Sequence, residues 1–497
     1  MRLPVSLLFL LSLWSCQQPK ISSILIENVR IADGTGAPLI QGAVRIDQGK
    51  IQEMGKLQPI AGEQRVNGEG KVLAPGFIDT HSHHGGTIFE QPDAAQLLSQ
   101  GITTIIVGLD GFSAFPVKNW IQKMDSLPVA VNMGTFIGHN TLREMAMSDY
   151  KRPADPAELV FMDSLLQTAL EEGALGMSSG LEYDPGIYAD PSEIQFLGKS
   201  LKKHDSRYSS HLRSEDRQLW AAVQEIIALG QATGIPVNIS HIKLAMVDLW
   251  GQADSLVAIL QQARDGGVDI TADLYPYEYW QSTMTVLFPE RNFDDDQAYA
   301  FALSSLTRPE YMIIANYEAN PAFVGKTLAE IALERGEKPE KTYQYLIKTA
   351  IAQDADESII CKSMTESDIA TLLQWPYTNI CTDGSFQSLH PRGTGSFPRV
   401  LRQFVREGKQ LSLEAAIRQM TAQAAENTGI KYRGRIAPDF WADLVLFDPE
   451  AITDHADFSN PHALSTGVAK VWVNGKLAWD SQPTYQFPGT AITSNHE

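Results

Sequence analysis

The chain has 497 residues, 43% hydrophobic and 20% charged, which is enough apolar material for a large globular core. Its formal net charge of −19 repels phosphate backbones and anionic lipid, so neither nucleic acid nor a bare membrane surface is expected as a partner.

The first stretch reads MRLPVSLLFLLSLWSCQQPK. One arginine precedes the apolar run Leu3–Trp14, which is too short to span a bilayer but suits a signal-peptide core. Its end, Leu13-Trp14-Ser15-Cys16, resembles a bacterial lipobox, with Trp14 an uncommon occupant of the second position. The expectation is a lipoprotein-type signal over residues 1–16, with Cys16 lipidated as the mature N-terminus. The protein is then exported, periplasmic or anchored in the outer membrane of a Gram-negative bacterium; simple secretion is the alternative. Beyond Cys16 only Cys361 and Cys381 remain, so no disulfide framework is expected.

Residues 20–71 alternate short β-like runs with Gly- and Asn-containing turns, and similar material returns over 434–485. The two ends are expected to close into one small β-sandwich around an inserted central domain, 72–433. There, strands expected at 72–81, 103–108, 130–138, 173–179, 207–212, 235–241, 268–275 and 378–383 alternate with amphipathic helices. Residues 217–231 place Leu219, Ala222, Val223, Ile226 and Ile227 on one face, and the segment after Asp155-Pro156 runs as a helix to Gly173. Eight such units predict an α/β fold, a (β/α)8 TIM barrel, whose active sites lie at strand C-termini. The connection 277–377 is far too long for a plain loop and contains helix-like runs, so an α-rich insertion forming a partial lid is expected.

Histidines and aspartates gather at the predicted strand ends. His81 and His83 follow the first strand, two residues apart, so on a strand they project from one face. Asp110 follows the second, His211 the fifth, His241 the sixth and Asp383 the eighth. Asp110 and Asp383 each precede Gly and suit a D-G turn, and any single histidine could be a core residue. All six such readings holding together is improbable. Imidazoles with carboxylates and open positions form the ligand set of a catalytic zinc or a related divalent ion. His139 closes the third strand as a structural or supporting residue, and Glu182 after the fourth either reaches the metals or serves the loop or substrate.

The blocks PGFIDTHSHH, GMSSGLEYDPGIYA, SSHLRSE, ISHIK, DLYPY, HPRGTGSFPRVL and GRIAPDFWADLVLFD resemble the amidohydrolase superfamily, in its D-aminoacylase (N-acyl-D-amino-acid deacylase) branch. The resemblance covers nearly all of residues 20–485 and implies a metal-dependent barrel with a small β-domain from both chain ends. It implies hydrolysis of the amide bond of N-acyl-D-amino acids, or of dipeptides ending in a D-residue. Members of the branch commonly carry a metal-bridging cysteine where this chain has Asp110. A carboxylate can also bridge but is a harder ligand, so one or two ions, zinc or another divalent metal, remain open.

The expected mechanism has Asp110, His211 and His241 holding a metal, with His81 and His83 at a second or weaker position. Asp383 acts as general base toward the attacking water and then protonates the amine. Lys243 and Tyr275 are expected, by family analogy, to hold the substrate carboxylate, and Arg392 either grips substrate or forms a loop ion pair. A cyclic-amide hydrolase related to dihydroorotases and hydantoinases is an alternative. Such relatives usually use a carboxylated lysine on strand four, and GMSSG has none. A metal-containing lipoprotein that binds without turnover is the third reading, and Asp383 speaks against it.

Overall fold

The computed structural model describes residues 23–494; the expected signal segment and Cys16 lie outside the described residues. The fold is α/β. Eight short parallel strands carry the site: β1 (Phe77–Asp79), β2 (Ile102–Val107), β3 (Asn132–Thr135), β4 (Gly176–Gly180), β5 (Arg207–His211), β6 (Val237–Ile239), β7 (Ile270–Leu274) and β8 (Thr378–Ile380). β1, β2 and β3 pair in sequence, and a second run leads from Ile137–Gly138 through β4, β5, β6 and β7 to β8. The two runs meet at Phe136, whose N–H donates to the Val107 carbonyl at 2.9 Å. Between β8 and β1, Asp383 N–H donates to His81 O at 2.8 Å and His83 N–H to Gly384 O at 2.9 Å. The last strand therefore returns to the first.

Helices follow the strands for local reasons. Pro156–Glu171 begins at Asp155, whose side chain accepts from the N–H groups of Ala157 and Glu158 while Glu158 reaches back, a reciprocal cap. Leu219–Thr233 turns its apolar stripe inward and stops at Gly234, where φ is +66°. Among the described residues, no helix is long and apolar enough to cross a membrane. Cys361 and Cys381 are both buried and free.

Three expectations change. The strand expected at 72–81 is two strands, Val72–Pro75 and β1, broken at Gly76. A Cβ at Gly76 would lie 2.3 Å from the Thr103 side chain, so only glycine lets the chain pass from one sheet to the other here. The terminal segments form one continuous eight-stranded sheet rather than two facing sheets. Val72–Pro75 pairs with Ile24–Ile31 on one side and Leu444–Phe447 on the other, which joins the two halves edge to edge. Ile26, Val44 and Ile46 share a cluster with Leu444, Leu446 and Trp472, whereas Val72, Val445 and Phe447 belong to the main core. Finally, the long insertion is mixed rather than α-rich. Tyr279–Ser282, Met312–Tyr317 and Glu357–Lys362 make a three-stranded antiparallel sheet, packed with helices Leu328–Arg335 and Pro339–Gln353 around its own core. The tail also returns unexpectedly: Ala491–Ile492 pairs parallel with β3.

Candidate metal centre

The ladders end before the site begins. β1 stops at Asp79, whose buried carboxylate accepts from Thr382 N–H at 2.8 Å and Thr382 Oγ1 at 2.6 Å. His81 and His83 thus lie beyond the strand rather than on it, and the simple same-face argument does not place them. His81 is buried, while the side chain of His83 is 40% exposed at the mouth. Asp110, His241 and Asp383 all have positive φ, at 54°, 37° and 47°. Each costs of order 1–3 kcal/mol for a non-glycine residue, and aspartate tolerates the conformation best. Asp110 and Asp383 thus take the left-handed conformation of a turn, and the same backbone turns their carboxylates toward the cluster described next.

The six residues converge. His81 Nε2 and His83 Nε2 each lie 3.3 Å from Asp110 Oδ2, and His83 Nε2 lies 3.2 Å from Asp383 Oδ1. On the other side, His241 Nε2 is 3.2 Å from Asp110 Oδ1 and 3.1 Å from His211 Nδ1. Asp110 thus turns one oxygen to each imidazole pair. Two candidate ligand groups contain Asp110, His81–His83–Asp110–Asp383 and Asp110–His211–His241, and a third is Glu182–His211–Glu215, each with its ligand atoms within 4.8 Å of one another. Burial opposes charge on the Asp110 and Asp383 carboxyls. His81 and His241 nevertheless hold Asp110, and Arg392 and His241 hold Asp383, well below the usual carboxylate range. Burial likewise opposes charge on His83, but its bonds to Asp110 and Asp383 raise it to about 9. A set of imidazole nitrogens and carboxylate oxygens, buried apart from His83, fits one or two divalent ions.

Around this centre lies a cavity of about 400 Å³, lined in part by His83, Asp110, His211, His241, Lys243 and Asp383. Arg392 also lines it and pairs with Asp383, Nη1 to Oδ2 at 2.6 Å. The close approach is enforced by glycine: a Cβ at Gly384 would sit 2.3 Å from the Gly393 Cα. Buried Tyr275 lies under this guanidinium, its ring centroid 4.6 Å from Arg392 Cζ, and does not line the cavity wall. Neither the Tyr275 hydroxyl nor Arg392 Nε has a hydrogen-bond partner.

Lys243 does line the cavity, but its ammonium donates to both oxygens of Glu215, at 2.6 and 2.7 Å. Glu215 Oε1 also lies 3.0 Å from His241 Nδ1, so this carboxylate orients the ring whose other nitrogen faces Asp110. Sequence reasoning missed Glu215, although it stands four residues after His211 in SSHLRSE. It also missed Asp273, which is buried with Oδ2 3.9 Å from His81 Nδ1 and pushed well up by burial. Glu182 reaches His211 Nε2 at 3.1 Å and accepts from Glu215 N–H at 3.0 Å; burial raises it to about 7. His139 stands apart. Its Nε2 is 2.7 Å from Glu193, which Arg143 also clamps at 2.6 Å, a buried structural triad.

Comparison with known proteins identifies the family. A family model described as "Amidohydrolase family" matches residues 366–478. An N-acyl-D-glutamate deacylase of Alcaligenes xylosoxydans xylosoxydans is 32% identical over 94% of this chain and 96% of its own. A D-aminoacylase of the same organism is 30% identical over 92% and 95%. Among solved structures, the zinc- and phosphonate-bound N-acyl-D-glutamate deacylase of Bordetella bronchiseptica superposes with a TM-score of 0.87 at 31% identity, covering 95% of this chain and all of its own. A D-aminoacylase structure with a binuclear metal centre gives 0.84 at 28% identity, covering 95% and 99%. The chain is an amidohydrolase and belongs to the D-aminoacylase (N-acyl-D-amino-acid deacylase) family.

Proposed function

We propose that this protein hydrolyses the amide bond of N-acyl-D-amino acids, or of dipeptides ending in a D-residue, on a (β/α)8 barrel with a β-domain drawn from both chain ends. The observation that carries this reading is Asp110, whose two oxygens serve two imidazole pairs beside the Asp383 carboxylate. The ring of parallel strands supports the barrel reading, because the cluster sits at their C-terminal ends. Asp110, His211 and His241 would hold one divalent ion, zinc first among them, and His81 with His83 a second or weaker one. When bound, such an ion acidifies water and polarises an amide carbonyl.

The protein side chains supply the rest. Asp383, kept ionised by its surroundings, takes a proton from the attacking water and returns it to the departing amine. Arg392 spends Nη1 on Asp383 and keeps Nε unpaired, with its guanidinium over the Tyr275 ring. A substrate carboxylate in the cavity would meet the Arg392 guanidinium, with Tyr275 backing it from beneath. Lys243 can contribute only by giving up Glu215, so Arg392 is the principal anchor and Lys243 holds the His241–Glu215 arrangement.

Initial rates on paired N-acetyl-D- and N-acetyl-L-amino acids, with metal-stripped and zinc-reloaded protein, test the proposal. The D-series should turn over only with metal present. Equal or faster rates on the L-series would place the chain outside this activity.

A further inference from the structure

We propose that the substrate is an N-acyl-D-amino acid whose side chain is apolar and uncharged, an inference that rests on the deacylase reading above. Two observations of the cavity carry it. The first is its charge inventory. Lys243 and Arg392 are the only lysine or arginine side chains lining it among the described residues, and both already hold a carboxylate. Only Arg392 keeps an unpaired donor, which is enough for one carboxylate. The other side chains of that kind nearby are committed elsewhere. Arg291 donates to Asp184 and to the carbonyls of Glu182, Thr285 and Phe288, while Arg217 donates to the Leu287 carbonyl. A second carboxylate, as in D-glutamate or D-aspartate, would enter a cavity lined by Glu182, Glu215 and Asp216 with no cation to receive it.

The second observation is the apolar part of the lining. Ala245, Trp280, Val286 and Leu287 line the cavity, and all four are members of the insertion's own buried core. Phe112, 43% exposed, stands at the cavity as well. A wall that is the face of a packed core cannot retreat to admit water or a charge. Nor does the cavity offer a free acid to a basic side chain. Glu182 and Glu215 are bonded to His211 and Lys243, and Asp216 accepts from Ser214 Oγ and Arg217 N–H.

The test compares kcat/KM of the zinc-loaded enzyme on N-acetyl-D-leucine, -D-methionine, -D-glutamate, -D-aspartate and -D-lysine. The first two should exceed the charged three by roughly 100-fold or more, as expected when a site leaves a buried charge unpaired. Val286→Lys should then narrow the leucine-to-glutamate ratio by about tenfold, by placing a cation on the apolar wall. A glutamate, aspartate or lysine substrate cleaved as fast as the leucine one overturns the inference and leaves the deacylase reading standing. Absence of hydrolysis across the whole D-panel removes both. If Val286→Lys folds and leaves the ratio unchanged, the wall does not face the side chain and the inference fails; if the variant does not fold, the wild-type panel decides.

Discussion

Arg392 Nη1 lies 2.6 Å from Oδ2 of Asp383, and both side chains are buried. An ion pair this enclosed fixes the carboxylate in one orientation and keeps it ionised, the state from which the base role proposed for it starts. Asp383→Asn preserves the shape and removes the charge. Turnover should fall by about 10²–10⁴, the range for losing an acid–base group. Metal content, read by elemental analysis of purified protein, should persist through Asp110 and the histidines. Wild-type turnover in this variant would take Asp383 out of the reaction.

Arg392→Lys separates the two duties of the guanidinium. A lysine can still pair with Asp383 but offers no planar edge for a second carboxylate. KM should rise about tenfold or more, with kcat changed less. A fall in kcat at constant KM would instead mean that Arg392 serves Asp383 alone.

Asp110 is shared by the two ligand groups His81–His83–Asp110–Asp383 and Asp110–His211–His241. Asp110→Ala leaves mostly neutral imidazoles to hold a divalent cation, so zinc occupancy after dialysis should drop steeply. Asp110→Cys should keep at least one ion, with the preference moved toward softer metals. Asp110→Asn discriminates best, because asparagine also adopts the left-handed conformation this residue has, at φ 54°. Full occupancy and activity in that variant would reduce Asp110 to a turn residue.

The Glu193–His139–Arg143 triad predicts a pH effect on stability. Burial opposes the charge, yet His139 and Arg143 lower Glu193 to about 2, from an ordinary 4.5. A depressed carboxyl stabilises the fold fully above its unfolded pKa, and the contribution disappears as pH falls from 4.5 toward 2. Glu193→Gln should cost ~3 kcal/mol at neutral pH, since it leaves Arg143 buried without its counter-charge. Its melting temperature should also decline less than that of wild type over the acid window. Parallel melting curves for the two proteins would contradict the assignment.

The expectation of a lipoprotein-type signal over residues 1–16 makes a separate prediction. If Cys16 is the lipid-bearing residue proposed for the export signal, the wild-type protein fractionates with membranes and Cys16→Ser is unmodified by mass spectrometry. A wholly soluble wild-type protein would leave simple secretion.

Much of the centre was legible because strand ends have local signatures. An apolar run followed by a polar residue and glycine, as in IIVGLDG and TNICTDG, marks where a buried strand stops, and parallel strands joined by helices bring all such stops to one end. That reasoning found His81, His83, Asp110, His211, His241 and Asp383 without needing to know which atoms meet. The meetings themselves are long-range and carry no spacing in the chain. Glu215 is recognisable only once Lys243, 28 residues later, folds back onto it. Asp79 and Asp273 look like ordinary strand residues until burial removes them from water, and the sequence marks His139 as structural or supporting without showing its partner, which helix Pro191–Lys203 brings as Glu193. The same limit explains the terminal sheet. Alternation shows that each segment is a strand with one apolar face, but either a sandwich or a single curled sheet buries those faces. The pairing of Val72–Pro75 with strands from both ends of the chain decided between them, through backbone hydrogen bonds that no side-chain pattern encodes.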